Sequence, residues 1–324
     1  MRYDGPGPKA PATAQVDYLE MESFLDQYGR ASVLGVIDDE KLQTEEPDED
    51  IVDDAVQENA RAVEIENEVN ARKHALGAHY PFDLDATGDN LEYQTATTPA
   101  QNTYVACLIC AFLRVHGTRG WDKDLRHLEL RFTKRVFQTV GTLVLAAQAG
   151  RGAISLGWPR LVNEPIIAAL KRGWQRGSTI EPHETPTWLA PPADKDGGID
   201  VIGWSDWPYG SQIAESIILG QLASGMNWEG KSVRDFIDTF RQSYVRTWPE
   251  NRTMATVIPF RRTNGPKAAS LDIRHGAVFD RLSLPTKVAE AEALAAQGRV
   301  FDEIENVDSI RQWVDDYRTA VLAL

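Results

Sequence analysis

The sequence predicts a mixed α/β fold, a β-sheet flanked by helices with an additional α-helical region at the N-terminus, and three observations predict it. The first is a set of short apolar runs, "GAISLGWPR" (152–160), "IDVIGW" (199–204), "SIILGQL" (216–222) and "TMATVIPF" (253–260), with the length and β-branched content of buried strands. The second is their order among helix-periodic segments: helix, strand, strand, strand, helix, strand, which is the pattern of a mixed sheet. The third is a change of texture near Tyr80, before which the chain is acidic and helix-spaced.

The elements follow in order. Residues 1–15 are rich in Pro, Gly and Ala and read as a disordered tail. "VDYLEMESFLDQYG", from Val16 to about Arg30, has helical spacing and ends at a Gly. The acidic run "EEPDEDIVDD" (45–54) leads into a second helix from Ile51 to about Leu76, where negative charge suits the helix dipole. These segments make a helical N-terminal region over 16–78. An α/β domain is expected over 79–284. It opens with the short β pieces "YPFDLD" and "NLEYQT" around the turn "ATGDN", then an apolar helix started by Thr98 and Pro99. The long amphipathic run 124–150 places Leu128, Phe132, Val136 and Val140 on one face and stops at Gly150. After the first core strand come a helix over 164–177 and a Pro-rich loop. The two central strands follow, then a helix over 233–245, the strand at 253–260 and a last strand at 275–284. Two helices close the chain, about 285–298 and 307–322, within a C-terminal segment 285–324.

At 324 residues with 42 % hydrophobic content, the chain can bury a real core in one large or two modest domains. It contains no run of about 18 apolar residues, and "MRYDGPGPKAPATAQ" lacks the apolar stretch of a secretion signal, so no membrane partner and a cytoplasmic location are expected. The two cysteines, Cys107 and Cys110, lie in the apolar "VACLICAF" without a second pair to complete a zinc site, and read as buried thiols in a reducing compartment.

The net charge of -14 is concentrated at one end. Residues 1–75 hold 19 Asp plus Glu against 7 Lys plus Arg, a net of -12, which leaves -2 for the rest. Local basic clusters stand at 112–135, seven cations against three carboxylates, and at 241–267, six against one. Such runs suit either a solvated surface or a face turned to nucleic acid.

The polar residues inside the central strands carry the chemistry. Asp200 in "GGIDVIGW" and Gln221 in "IILGQL" stand among apolar neighbours, where an uncompensated carboxylate is costly and a cation or positive partner is expected. An acidic side chain, a second oxygen ligand one hairpin later and a nearby lysine form the kit for metal-assisted phosphodiester cleavage. No "GxSxG", His pair or phosphate loop offers another chemistry; His183 and His275 each stand alone, and "GRG" and "DGG" lack a Walker lysine.

On these residues the chain resembles the restriction-endonuclease-like PD-(D/E)XK nucleases, in particular the Mrr-like branch, over roughly residues 124–260. There an acidic helix residue precedes a strand, "GxD" opens the second strand, and "(E/Q)xK" sits on the third. The resemblance implies Asp200 and Gln221 as metal ligands for Mg²⁺ or Mn²⁺ and Glu129 in "HLELRF" as the helix acid. The alternative for Glu129 is an ion pair with Arg126 or Arg131. The family's lysine position is Ala223 here. Lys231 in "SGMNWEGKS" is the first candidate to replace it, followed by Lys195 and Lys134, and Asp196 is the alternative to Asp200 as ligand. Trp204, Trp207 and Trp228 flank the site as core residues or base-stacking platforms. What the resemblance implies is a Mg²⁺-dependent DNA endonuclease of a prokaryotic defence system, acting on DNA and expected to dimerise, with a protein partner on the acidic N-terminal region. Two alternatives stand beside it. One is a catalytically inactive restriction-like domain that binds nucleic acid or protein. The other is an interaction protein whose acidic N-terminal third mimics nucleic acid.

Overall fold

A computed structural model of the chain describes residues 6, 10–35, 51–116, 123–160, 164–190, 196–206, 214–262 and 265–323. The N-terminal part contains α1 (Ala12–Leu25), β1 (Arg30–Ser32), α2 (Ile51–Leu76), β2 (Phe82–Leu84) and β3 (Asn90–Tyr93). Helix α1 starts four residues before the expected Val16, so the expected tail is helical from Ala12. It stops at Leu25 because Asp26 is extended and turns its carboxylate onto the Tyr28 and Arg30 amides, which feed a strand in place of the expected helix end. The two β pieces read from sequence pair as β2 and β3, with β1 added to give the order β1-β3-β2. The acidic run before Ile51 lies outside the described residues.

Next come α3 (Pro99–His116), α4 (Lys123–Arg131), a π-helical turn over Phe132–Val136, α5 (Phe137–Ala149), β4 (Gly152–Ser155), α6 (Ile166–Gln175) and β5 (Glu181–Pro182). Helix α3 is opened by a capping box, the Gln101 amide donating to Thr98 Oγ1 at 3.2 Å while the Thr98 amide donates to Gln101 Oε1 at 3.3 Å. The remaining elements are β6 (Val201–Asp206), β7 (Ala214–Leu222), α7 (Ile237–Tyr244), β8 (Val245–Thr247), β9 (Arg252–Val257), α8 (Pro266–His275), β10 (Ala277–Phe279), α9 (Leu284–Ala296) and α10 (Asp308–Leu322). Helix α8 falls where the sequence reading had left a gap and taken His275 as the start of a strand.

The main sheet is mixed, in the order β10-β9-β7-β6-β4, with β4, β6 and β7 antiparallel in turn and β9 and β10 parallel to β7. Helix α5 lies against one face so closely that side chains are excluded: a Cβ on Gly141 would stand 2.1 Å from Leu222, and one on Gly220 2.0 Å from Leu145. On the other face Ile202, Trp204, Ile217 and Leu219 pack with residues of α6 and α7. The edge strand β4 is covered. The Asp302 amide donates to Ala153 O at 3.1 Å, and the Ser155 amide donates to the Asp302 carboxylate at 3.0 Å. Arg172 and Arg176 fix that carboxylate, each at 2.7 Å.

The N-terminal helices are not an appendage. Val16, Leu19, Phe24, Ile65 and Val69 share one core with α3, α5, α9 and α10. Three of the acidic region's carboxylates turn inward: Glu20 and Asp17 reach Arg72 at 2.9 and 2.7 Å, Asp17 also meets Arg281, and Glu68 meets Arg72 and Arg261. Arg72 and Arg281 are fully buried. Cys107 and Cys110 are buried free thiols, and burial raises both, Cys110 to about 12. Among the described residues, no helix is long and apolar enough to cross a membrane.

Candidate functional site

The stretch "KDGGID" is a device for delivering Asp200. Asp196 accepts the Gly198 amide at 2.9 Å, closing an Asx turn. Gly197 and Gly198 both take positive φ, 67° and 78°. Neither has room for a side chain, since a Cβ on Gly198 would lie 2.1 Å from the Phe236 ring and one on Gly197 2.6 Å from Phe240. The turn sets down Asp200 immediately before β6. Its carbonyl accepts the Leu156 and Gly157 amides at 2.7 and 3.0 Å, and its own amide donates to Gly220 O at 2.9 Å.

The carboxylate then lies along the neighbouring strand, where Oδ2 accepts the Leu222 amide at 2.8 Å. That places it beside Gln221. Residues 220 and 222 point at α5, so alternation turns Gln221 to the opposite face, where Thr256 of β9 is its partner across the sheet. Gln221 Oε1 is buried and has no hydrogen-bond partner. An amide oxygen in that state is a vacant acceptor, which is costly unless a donor or a cation meets it.

Asp200 is half-buried, and its electrostatics match. Burial, with the negative charge of Asp196 second, raises its pKa to about 7; the Leu222 N–H and the positive charge of Lys231 pull the other way and do not win. Two carboxylates close enough to repel, next to a vacant amide oxygen, make an oxygen-rich set with hard-cation chemistry. Among the described residues there is no group of three or more His, Cys, Asp or Glu able to hold a metal, so the set depends on the Gln221 amide.

Position 223, where the resemblance calls for a lysine, has no room for a charged one. Ala223 is 4 % exposed and roofed by Trp228, Ile258 and Leu271, so a lysine there would bury its ammonium in an apolar pocket. Lys231 stands instead on an exposed loop that α8 clamps in place. His275 meets Glu229 O at 3.2 Å, Lys267 pairs with the Glu229 carboxylate at 2.5 Å, Arg274 donates to Gly230 O at 3.2 Å, and Ser232 Oγ donates to Arg274 O at 2.9 Å. Lys231 has no ion-pair partner within 4.0 Å among the described residues, yet Asp200 feels its charge.

The other sequence candidates fall elsewhere. Glu129 pairs with Arg114 at 2.6 Å, not with Arg126 or Arg131, and touches the site only at second hand, since Arg114 Nε donates to Ser224 O at 3.3 Å. Lys134 is exposed on the π-helical turn. Lys195 and Trp207 lie outside the described residues. Trp204 is fully buried, with Gly152 pressed on its ring, which fits the core reading. Trp228 is buried too, its ring 5.4 Å from that of His275.

Two residues were passed over. Gln138, a polar residue inside the apolar "RVFQTVG", donates through Nε2 to Ser155 Oγ at 2.8 Å and to Asp200 O at 3.2 Å, tying α5 to the mouth of β6. Its isolation among apolar neighbours was the available signal. His275 bonds Thr256 Oγ1 through Nδ1 at 3.1 Å and is 1 % exposed; burial holds it below the usual histidine range, so the ring is neutral and Nε2 donates to Glu229 O. No spacing in the sequence marks that role, because its partners are main-chain and cross-sheet groups. No protein-family model, curated protein or solved structure matches this chain.

Proposed function

We propose that the chain is a Mg²⁺- or Mn²⁺-dependent endodeoxyribonuclease with a restriction-endonuclease-like core, acting in the cytoplasm as part of a prokaryotic defence system. The observation that carries the reading is the Asp200 carboxylate seated against β7 beside the vacant Gln221 Oε1, two oxygen donors on adjoining strands at the place the PD-(D/E)XK pattern assigns to its ligands. The order α5, β4, β6, β7, α7, β9 supports the same core.

The donor set suits a hard divalent cation: Asp200 and Gln221 would hold it, with Asp196 adding negative charge. When bound, such an ion supplies charge neutralisation on the phosphate and a more acidic water. The protein's own part is positioning. The Leu222 amide and the hydrogen bonds to the Asp200 carbonyl fix the carboxylate, and Lys231 brings a positive charge to the phosphate or the attacking water. Purified protein incubated with double-stranded DNA is expected to cut with Mg²⁺ or Mn²⁺ and not in chelator. Asp200→Ala should abolish cutting. Lys231→Ala should lower the single-turnover rate by about 10²–10³-fold while leaving Mn²⁺ affinity within about twofold of wild type.

Ala223 motivates a rival reading, a domain that binds DNA without cutting it. DNA binding with no heat of Mg²⁺ or Mn²⁺ binding by calorimetry would favour the rival and overturn the nuclease.

A further inference from the structure

We infer that the cavity between α1, α3 and α8 is a second binding site, for an aromatic anion of nucleoside-monophosphate size. It encloses about 620 Å³, well inside the range of small-molecule sites, about 300–1,000 Å³. Tyr18, Phe112, Trp228 and Phe260 present four aromatic side chains to it, with Leu271 between them, a lining suited to a flat ring.

The charged residues sit together on the wall, and their partners decide what the cavity attracts. Arg262 is held by both Asp272 oxygens, at 2.6 and 2.9 Å. Lys267 is taken by Glu229 and Asp17 by Arg72 and Arg281. Arg261 is under-compensated: its carboxylate contact is Glu68, which Arg72 Nε also claims at 2.7 Å, and its Nε finds no acceptor. Burial, with Arg281 second, pushes its guanidinium below the ordinary range. A phosphate reaching this wall can offer the acceptor that Arg261 Nε lacks, in a charge-assisted hydrogen bond. Ring stacking and one anionic group are the chemistry of a nucleotide, either free or at the 5′ end of a strand.

The inference does not rest on the nuclease reading, and its test is run in chelator to keep the two apart. Full-length protein is titrated calorimetrically with AMP, adenosine, inorganic phosphate, and 5′-phosphorylated and 5′-hydroxyl oligodeoxynucleotides. AMP is expected to bind at least about tenfold more tightly than adenosine, with no measurable binding of phosphate alone. Arg261→Met should cost AMP about tenfold and leave adenosine unchanged. Ala111→Phe, which fills the cavity from α3, should block both and serves if the arginine variant does not fold. Binding of the 5′-phosphorylated oligonucleotide without AMP would assign the ligand to a strand end. No binding of AMP or of the phosphorylated strand at millimolar concentration overturns the inference, as does AMP binding that survives Ala111→Phe.

Discussion

Asp200 is the residue on which pH acts. A carboxyl raised from 3.8 to about 7 by folding favours the folded state while protonated. Its contribution is therefore whole below about pH 4 and is lost as pH climbs through about 7. In chelator, wild-type protein should lose stability between about pH 4 and about pH 7, and Asp200→Asn should reduce that slope. The variant should gain about 1–3 kcal/mol at the upper pH and little at the lower, read from denaturant midpoints. On the proposed function, metal binding would run the other way, since a divalent ion needs the charged carboxylate. Mn²⁺ affinity should fall about tenfold per unit as pH drops below 7. Asp200 and Gln221 were legible in the sequence because a polar residue inside an apolar strand needs a reason. The role of Asp196 was less so, since it comes from repulsion between two carboxylates that only the Gly197–Gly198 turn brings together.

Among the elements, α5 and β7 approach without room for a side chain between them. Gly141 lets Leu222 press against the helix backbone, and Leu222 carries the amide that binds Asp200. Gly141→Val should cost about 1–3 kcal/mol by overpacking and displace that amide, so that thermal stability and Mn²⁺ affinity fall together. An unchanged affinity in a folded variant would show that β7 is not positioned from α5. Helices α2, α3, α9 and α10 and the central strands could be read from periodicity and caps, because each signal is local. Helix α8 could not. "PKAASLDIRH" buries little besides Leu271 and His275, and its ends are tied to the 229–232 loop. The register that sets Gln221 opposite Thr256 was equally invisible, being fixed by pairing between segments distant in the chain.

At the scale of the whole molecule, part of the acidic N-terminal charge is structural. Asp17, Glu20 and Glu68 neutralise Arg72 of α2, and Asp17 and Glu68 also meet Arg281 and Arg261, respectively. Arg72 alone contacts all three carboxylates and donates to Tyr104 Oη at 3.2 Å. Arg72→Ala should cost about 3–5 kcal/mol and, because the cluster is shielded, the loss should change little between low and high salt. Deleting residues 1–75 should expose the core shared with α3, α5, α9 and α10, giving protein that lacks a cooperative unfolding transition instead of a folded remnant with raised DNA affinity.

The Asp302 cover on β4 also closes one edge of the sheet to strand addition. An uncovered outer strand offers its amides and carbonyls to any extended peptide, including another copy of the same chain. Here Ala153 O and the Ser155 amide are already engaged, and two arginines anchor the carboxylate that engages them. Two copies cannot join sheets across this edge without first displacing Asp302 from the Ala153 carbonyl and the Ser155 amide. Copies meeting at β4 would have to recognise each other by side-chain fit, which leaves the geometry of such a contact open to tuning by surface substitutions that never disturb the sheet.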